Sequence, residues 1–381
     1  LEKDPDHRFQ SAAQVSERLG KGLAHLQNPD ANPLPEVLYS IPTTARRKAT
    51  TKSYRRLWPR FVAASCIVAA VLLWVVVVPS VYHPSASLQW PPETLGSPPP
   101  IVSTPLDTRT AKNHQESWAD HLNLPVKWKN SIGMQFVFIP PGEFSMGASE
   151  RERQCVTREA ESEGDDLSLE DIEAGQPRHR VRISEPAYIG RCEVTQEQWK
   201  AIMGDNPACF RASAHPVESV TWAECQEFLE RLNDICCPRG MEYRLPTEAE
   251  WEYCCRAGTQ TAFSFGDAPE LAGDYGWFVN NSGDATHPVA KKKPNPWGIY
   301  DMHGNVWEWC FDAYNADYYG RSPVVDPLGP SSGVHRVRRG GSWMNPYRKS
   351  RSARRNEAPI GHGYRHIGFR VMLAPERLSE D

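Results

Sequence analysis

The chain has 381 residues, with 43 Lys and Arg against 47 Asp and Glu for a formal net charge of −4. Its 40% hydrophobic and 10% aromatic content excludes a disordered polyelectrolyte, and the near-neutral charge excludes a general affinity for nucleic acid. Thirty-three Pro and 26 Gly predict long irregular connections rather than a helix bundle.

In chain order, the first residue is Leu1 rather than Met, which predicts a piece of a longer polypeptide. Leu1-Glu-Lys-Asp-Pro-Asp-His-Arg-Phe-Gln-Ser-Ala-Ala13 resembles the last part of a bacterial-type serine/threonine kinase C-lobe, over residues 1–27. An unrelated amphipathic helix is the alternative. The resemblance implies that Arg8 pairs with a glutamate upstream of Leu1, where the phosphate-anchoring and catalytic residues would also lie. Residues 28–60 follow as a basic juxtamembrane segment, in which Arg46, Arg47, Lys48, Lys52, Arg55, Arg56 and Arg60 fall in a stretch, 46–60, without an acid. Residues 61–78 carry no charge and, with Pro79 to Tyr82, predict a transmembrane helix over 61–82. Between Pro79 and Asp107 there is no Lys or Arg. The positive-inside rule therefore predicts a single-pass cell-membrane protein with residues 1–60 cytoplasmic and 83–381 extracytoplasmic. Residues 83–127 are Pro-rich and predict an extended stalk.

The rest, before a short tail at 374–381, predicts a folded domain over 128–373. Phe136-Val-Phe-Ile139 suits a strand. Thr195 with Gln198, Thr221 with Glu224 and Thr247 with Glu250 fit capping boxes and predict three helices, the first ending at Gly204 and the third at Gly258. After Thr221, Trp222, Cys225, Phe228, Leu229, Leu232 and Ile235 recur at helical spacing. Residues 150–173 hold ten acidic and three basic side chains without apolar rhythm and read as a solvated insertion.

Several longer motifs occur in a fixed order. They are Asn130-Ser-Ile-Gly-Met, Glu193-Val-Thr-Gln, His215-Pro-Val-Glu, Arg244-Leu-Pro-Thr-Glu-Ala-Glu-Trp251, Gly298-Ile-Tyr-Asp-Met-His-Gly-Asn-Val-Trp-Glu-Trp-Cys310, Gly340-Gly-Ser-Trp343 and Gly368-Phe-Arg370. Together they resemble the formylglycine-generating (sulfatase-modifying factor) family. The resemblance implies an α+β, loop-rich fold related to C-type lectins, alongside the membrane helix. Active members oxidise a sulfatase cysteine with two cysteines of their own, and counted from Gly340 those positions fall on Asn345 and Ser350. No cysteine follows Cys310. Neither an amide nor a hydroxyl replaces a thiolate as a soft ligand, so no catalytic pair and no copper are expected.

Asp301, Gly304, Val306 and Glu308 match positions that hold a structural calcium in the family, and oxygen donors of this mix suit Ca2+. A salt bridge from Glu308 to an arginine is the alternative. The family's second calcium position is not traceable; Asn281 lies near it. Arg336, Arg338, Arg339, Arg348, Lys349, Arg351, Arg354 and Arg355 form an acid-free basic stretch. It reads either as a groove for an acidic peptide or sugar, with Trp307, Ser342, Arg348 and Arg351 as its candidates, or as charge paired internally with the domain's acids. Nine cysteines follow the predicted span, which suggests one or two disulfides plus buried thiols. His215, His287 and His303 lack the spacing of an enzyme site.

Three functional readings follow. One is a calcium-stabilised sensory or ligand-binding ectodomain tied to a kinase. Another is an oxidative modifier of extracytoplasmic proteins. The third is a structural surface domain without a ligand.

Overall fold

The computed structural model describes residues 88, 90–163 and 175–377. The chain divides into Leu1–Val81 and Tyr82–Asp381, and every described residue lies in the second unit. The kinase-like tail, the basic segment and the expected span at 61–82 fall outside the described residues. Among the described residues no helix is long and apolar enough to cross a membrane. The expected fold class is corrected accordingly: what the structure describes is an α+β domain with no membrane helix.

The N-terminal limit of that domain is also corrected. Helix α1, Thr108–His121, occupies the second half of the expected stalk. Asp107 caps it by accepting from the Thr110 N–H at 2.7 Å. Ala111, Trp118 and Ala119 are buried, and Leu88 joins the same core as Trp118. The prolines of residues 91–105 precede the helix and leave its register intact.

A five-stranded sheet forms the centre, in the order β1 (Lys127–Lys129), β2 (Gln135–Ile139), β5 (Ala187–Gly190), β11 (Met372–Pro375) and β6 (Met241–Arg244), antiparallel throughout. Strand β2 is buried on both faces. Phe136 and Phe138 point into one core with Trp199, Phe228 and Phe369, whereas Val137 and Ile139 point into another with Trp251 and Trp297. The C-terminal strand β11 sits between β5 and β6, so the last segment of the chain completes the sheet.

A second sheet has the order β10 (Ile367–Gly368), β7 (Trp307–Ala313), β8 (His335–Arg339), β9 (Arg355–Pro359), with only β10 and β7 parallel. Strands β3 (Gly142–Met146) and β4 (His179–Ile183) form a third, two-stranded sheet.

The three expected capping boxes are present and start α3 (Gln196–Met203), α4 (Trp222–Cys236) and α5 (Glu248–Arg256). Gly204 ends α3 at φ 90° as expected, but α5 stops one residue early, on Ala257 in the left-handed region at φ 44°. Of the α4 stripe, Cys225, Phe228, Leu229 and Leu232 are buried and Ile235 is exposed. The acidic insertion is not simply solvated. Its first part is helix α2, Glu150–Glu163, with Glu152 and Val156 turned inward.

All nine cysteines of the described residues are free thiols, so the expected disulfides are absent among them. Cohesion rests on aromatic packing, such as Trp199 stacked on Phe228 at 5.4 Å, and on buried ion pairs. Because Trp118 anchors α1 to the main core, Trp118→Ala should cost about 3–5 kcal/mol of unfolding free energy. Denaturant titration checks this; a loss below about 0.5 kcal/mol would return residues 108–121 to the stalk.

Candidate functional site

The motif residues converge where β7 lies between β8 and β10. Across these ladders Glu308 stands opposite Arg339 and Gly368. Its side chain is completely buried, and its carboxylate accepts from Arg370 through Nε–Oε2 at 2.5 Å and Nη2–Oε1 at 2.6 Å. Trp251 Nε1 donates to the same Oε2 at 2.6 Å. The other Arg370 donors reach the Gly190 and Tyr300 carbonyls at 3.0 Å. One planar pair thus joins β7, α5, the central sheet and the C-terminal segment.

This arrangement decides the fit of calcium. Both Glu308 oxygens already serve a guanidinium and an indole, and a guanidinium beside the carboxylate repels a second cation. The salt-bridge alternative is the observed one. Asp301 is buried with φ 58°; its Oδ2 accepts from the Ala290 N–H at 2.6 Å and its Oδ1 has no partner. Burial raises its carboxyl to about 6, and the neighbouring Glu193 is pushed up as well, first by burial and then by Asp301. Gly304 adopts φ 116° and its Cα lies against the Trp277 backbone, so a β-carbon there would meet the Trp277 carbonyl at 2.4 Å. Val306 is fully buried. The four residues are neighbours in the motif but do not fit a calcium ion as a set. Among the described residues no group of three or more His, Cys, Asp or Glu side chains is placed to hold a metal.

The turn after β8 carries the positions that matter for thiol chemistry. Gly341 has φ 73°, and a β-carbon there would overlap the Ser350 Oγ at 1.9 Å. That contact packs Ser350 behind the turn with its side chain wholly buried; its hydroxyl has no partner, and its carbonyl accepts from His303 Nδ1 at 2.7 Å. Asn345 is half-exposed. Its Oδ1 accepts from Trp307 Nε1 at 2.8 Å and from the Ser342 hydroxyl at 2.7 Å. The two positions therefore differ in burial as well as lacking sulfur. Asn345 is a hydrogen-bond hub, and Ser350 is packing.

Cys255 and Cys310 do not substitute. Burial pushes Cys255 up to about 12 and Cys310 well above the normal thiol range. Cys255 lies 3.8 Å from His303 Nε2, a ring that also contacts the Ser264 hydroxyl at 2.9 Å. Burial first of all lowers His303 to about 4, so it is neutral and cannot act as the cationic partner that activates a thiol. His215 bonds Thr286, and His287 stacks on Trp277 at 3.6 Å.

The expected groove is split. Trp307 and Ser342 are buried around Asn345, whereas Arg348 and Arg351 line a separate cavity of about 380 Å3 beneath α2. Most of the basic stretch is paired internally. Helix α5 presents Glu248 and Glu252, one turn apart. Glu248 accepts from Arg355 at 2.7 and 2.8 Å and from Arg339 at 3.3 Å; Glu252 accepts from Arg256 at 2.8 Å and from Arg339. Arg336 and Arg338 lie over the Trp222 and Trp307 rings at 4.1 and 5.1 Å. Neither the Glu193–Asp301 pair nor the cavity was foreseen. A Glu248/Glu252 repeat at helical spacing was the readable signal for the ion-pair network.

Two outcomes follow. Glu308→Gln should lower stability by about 3–5 kcal/mol, because it leaves Arg370 buried without its counter-charge. Millimolar Ca2+ should not change the melting temperature of either form; a calcium shift abolished by the substitution would restore the metal reading. The second outcome concerns acid. His303 is neutral in the fold and protonated in the unfolded chain below about 6.5, so the unfolded state binds the extra proton. Its contribution is complete above 6.5 and is lost as pH falls towards 4. Melting temperatures across that window should drop in the parent and drop less in His303→Asn; parallel curves would exclude His303 as a source.

Comparison with known proteins agrees with this geometry. A family model for the sulfatase-modifying factor enzyme 1-like domain matches residues 124–375. The chaperone protein LppX of Paenibacillus barcinonensis is 33% identical over 205 residues, 42% of this chain and 69% of that protein. A formylglycine-generating enzyme of Streptomyces coelicolor is 37% identical over 175 residues, 41% of this chain and 52% of the enzyme, so the chain spans about half that relative's length. Serine/threonine-protein kinase pkn1 of Chlamydia caviae is 37% identical over 159 residues, 41% of this chain and 24% of the kinase. That stretch is longer than the whole segment before residue 124, so it includes part of the family domain. Among solved structures, Treponema denticola variable protein 1 superposes with TM-score 0.55 at 29% identity, covering 66% of this chain and all of that one. With two thirds of its length matched by the family model, the chain belongs to the sulfatase-modifying factor, or formylglycine-generating enzyme, family.

Proposed function

We propose that this domain is a ligand-binding, sensory member of its family and not an oxidase. One observation carries the reading: where thiols are required stand Asn345, locked by Trp307 and Ser342, and Ser350, buried behind Gly341. An amide and a hydroxyl cannot form the paired soft ligands that thiolate chemistry needs. The substituted positions have been absorbed into the fold, so the site is stable without a reactive group. Kinship with a protein named as a chaperone and with one named as a serine/threonine kinase supports a binding role coupled to a kinase in one polypeptide. The alternative, an oxidative modifier of the formylglycine-generating type, is favoured by the enzymes among the relatives.

The purified chain, treated with copper(I) under oxygen, should leave the cysteine of a sulfatase-type peptide unconverted to aldehyde by mass spectrometry. Aldehyde formation lost in Cys255→Ser or Cys310→Ser would mean a displaced thiol site, and the oxidase reading would take over. Aldehyde formation surviving both substitutions would require a thiol-independent route and would equally end the sensory reading.

A further inference from the structure

The cavity beneath α2 is built by residues from distant parts of the chain. Helix α2 contributes Arg151, Glu152 and Val156, the segment entering β4 contributes Arg178, and the turn after β8 contributes Arg348 and Arg351. Phe263 and Ala262 form an apolar wall. At about 380 Å3 the space lies within the range of small-molecule sites.

Among the described residues its lining is rich in charge, with Arg151, Arg178, Arg348 and Arg351 beside Glu152 and Asp267. Glu152 is 5% exposed and faces Arg351 at 3.5 Å through Oε1, while its Oε2 is buried without a partner. Asp267 accepts from the Ala262 N–H and meets Arg151 at 3.9 Å in an exposed position. Arg178 is the informative member. Its Nε and Nη2 are buried and have no hydrogen-bond partner. The nearby Arg256 is itself satisfied by Glu252. A half-buried guanidinium with unsatisfied donors costs free energy, and a protein retains one most readily where something else supplies the acceptor.

We propose that this cavity binds a small organic anion, a carboxylate or sulfate carried on an apolar body, with Arg178 as the principal anion contact. The anionic group meets a planar donor fork, as carboxylate and sulfate recognition requires. The body lies on Phe263 and Val156, and a hydroxyl or amine on the ligand is available to the free Glu152 oxygen. This rests on the binding reading above and names the ligand class for it.

The test is calorimetric titration of the full chain with phenylacetate, phenyl sulfate and phenethylamine. The two anions bracket the carboxylate and sulfate sources, and the amine is the charge control. Binding of at least one anion and not the amine is expected, weakened at least about tenfold by Arg178→Gln, as for removal of one partner of a buried charge pair. Ala262→Phe, which fills the cavity from a half-exposed position, should weaken it likewise. Because Nε and Nη2 of Arg178 have no hydrogen-bond partner without ligand, Arg178→Gln should melt no lower than the parent. A lower melting point would make Arg178 a structural residue and overturn the proposal. So would the absence of anion binding at millimolar concentration, equal binding of the amine, or unchanged affinity in both variants. Failure here with no aldehyde in the peptide assay removes only the cavity; aldehyde formation removes the sensory reading while leaving the titration result standing.

Discussion

Burying the Glu308–Arg370 pair is the constraint on which the rest depends. Two opposite charges at zero exposure are tolerable only if every donor and acceptor is used. Arg370 therefore spends its remaining donors on Gly190 and Tyr300, and Glu308 takes Trp251. Gly190 belongs to the central sheet, Trp251 to helix α5 and Tyr300 to the loop before β7, the second-sheet strand that carries Glu308 itself. The pair consequently fixes their mutual placement more sharply than apolar packing, which is non-directional, can do.

Helix α5 extends the same logic. Its Glu248 and Glu252 face Arg339, Arg355 and Arg256, while Trp251 between them turns to Glu308. Of the arginines that look in sequence like a basic stretch, Arg339, Arg351 and Arg355 are internal counter-ions. Arg178 stands out against that background, because its Nε and Nη2 are buried without a hydrogen-bond partner.

The legible part of this chain was the part written in local chemistry. Thr195, Thr221 and Thr247 announce helices because a capping box is completed within four residues. The ordered motifs located the domain because each is a contiguous run. Helix α1 was missed because prolines precede it and its apolar residues are few; Trp118 and Ala119 matter only once a distant core covers them. The choice between calcium and an ion pair at Glu308 was open because Arg370 lies far along the chain. Only the fold brings it to the carboxylate. Free cysteines were unreadable for the same reason, since pairing depends on approach and not on count.

The buried charges that hold the fold are separate from positions 345 and 350, so the architecture stands with an amide and a hydroxyl at those two places. Removing one partner at Glu308 strands a buried charge, at about 3–5 kcal/mol. The Asn345 amide answers no buried charge; it accepts hydrogen bonds from Trp307 and Ser342. At position 350 the tight approach of Gly341 demands a small residue, and serine meets that demand with one unpaired hydroxyl. The demand at Glu308, Arg370 and the α5 carboxylates is for charge, whereas at positions 345 and 350 it is for hydrogen bonding and for size. The acidic insertion is the complementary case. Its described part, helix α2, supplies Arg151, Glu152 and Val156 to one wall of the cavity.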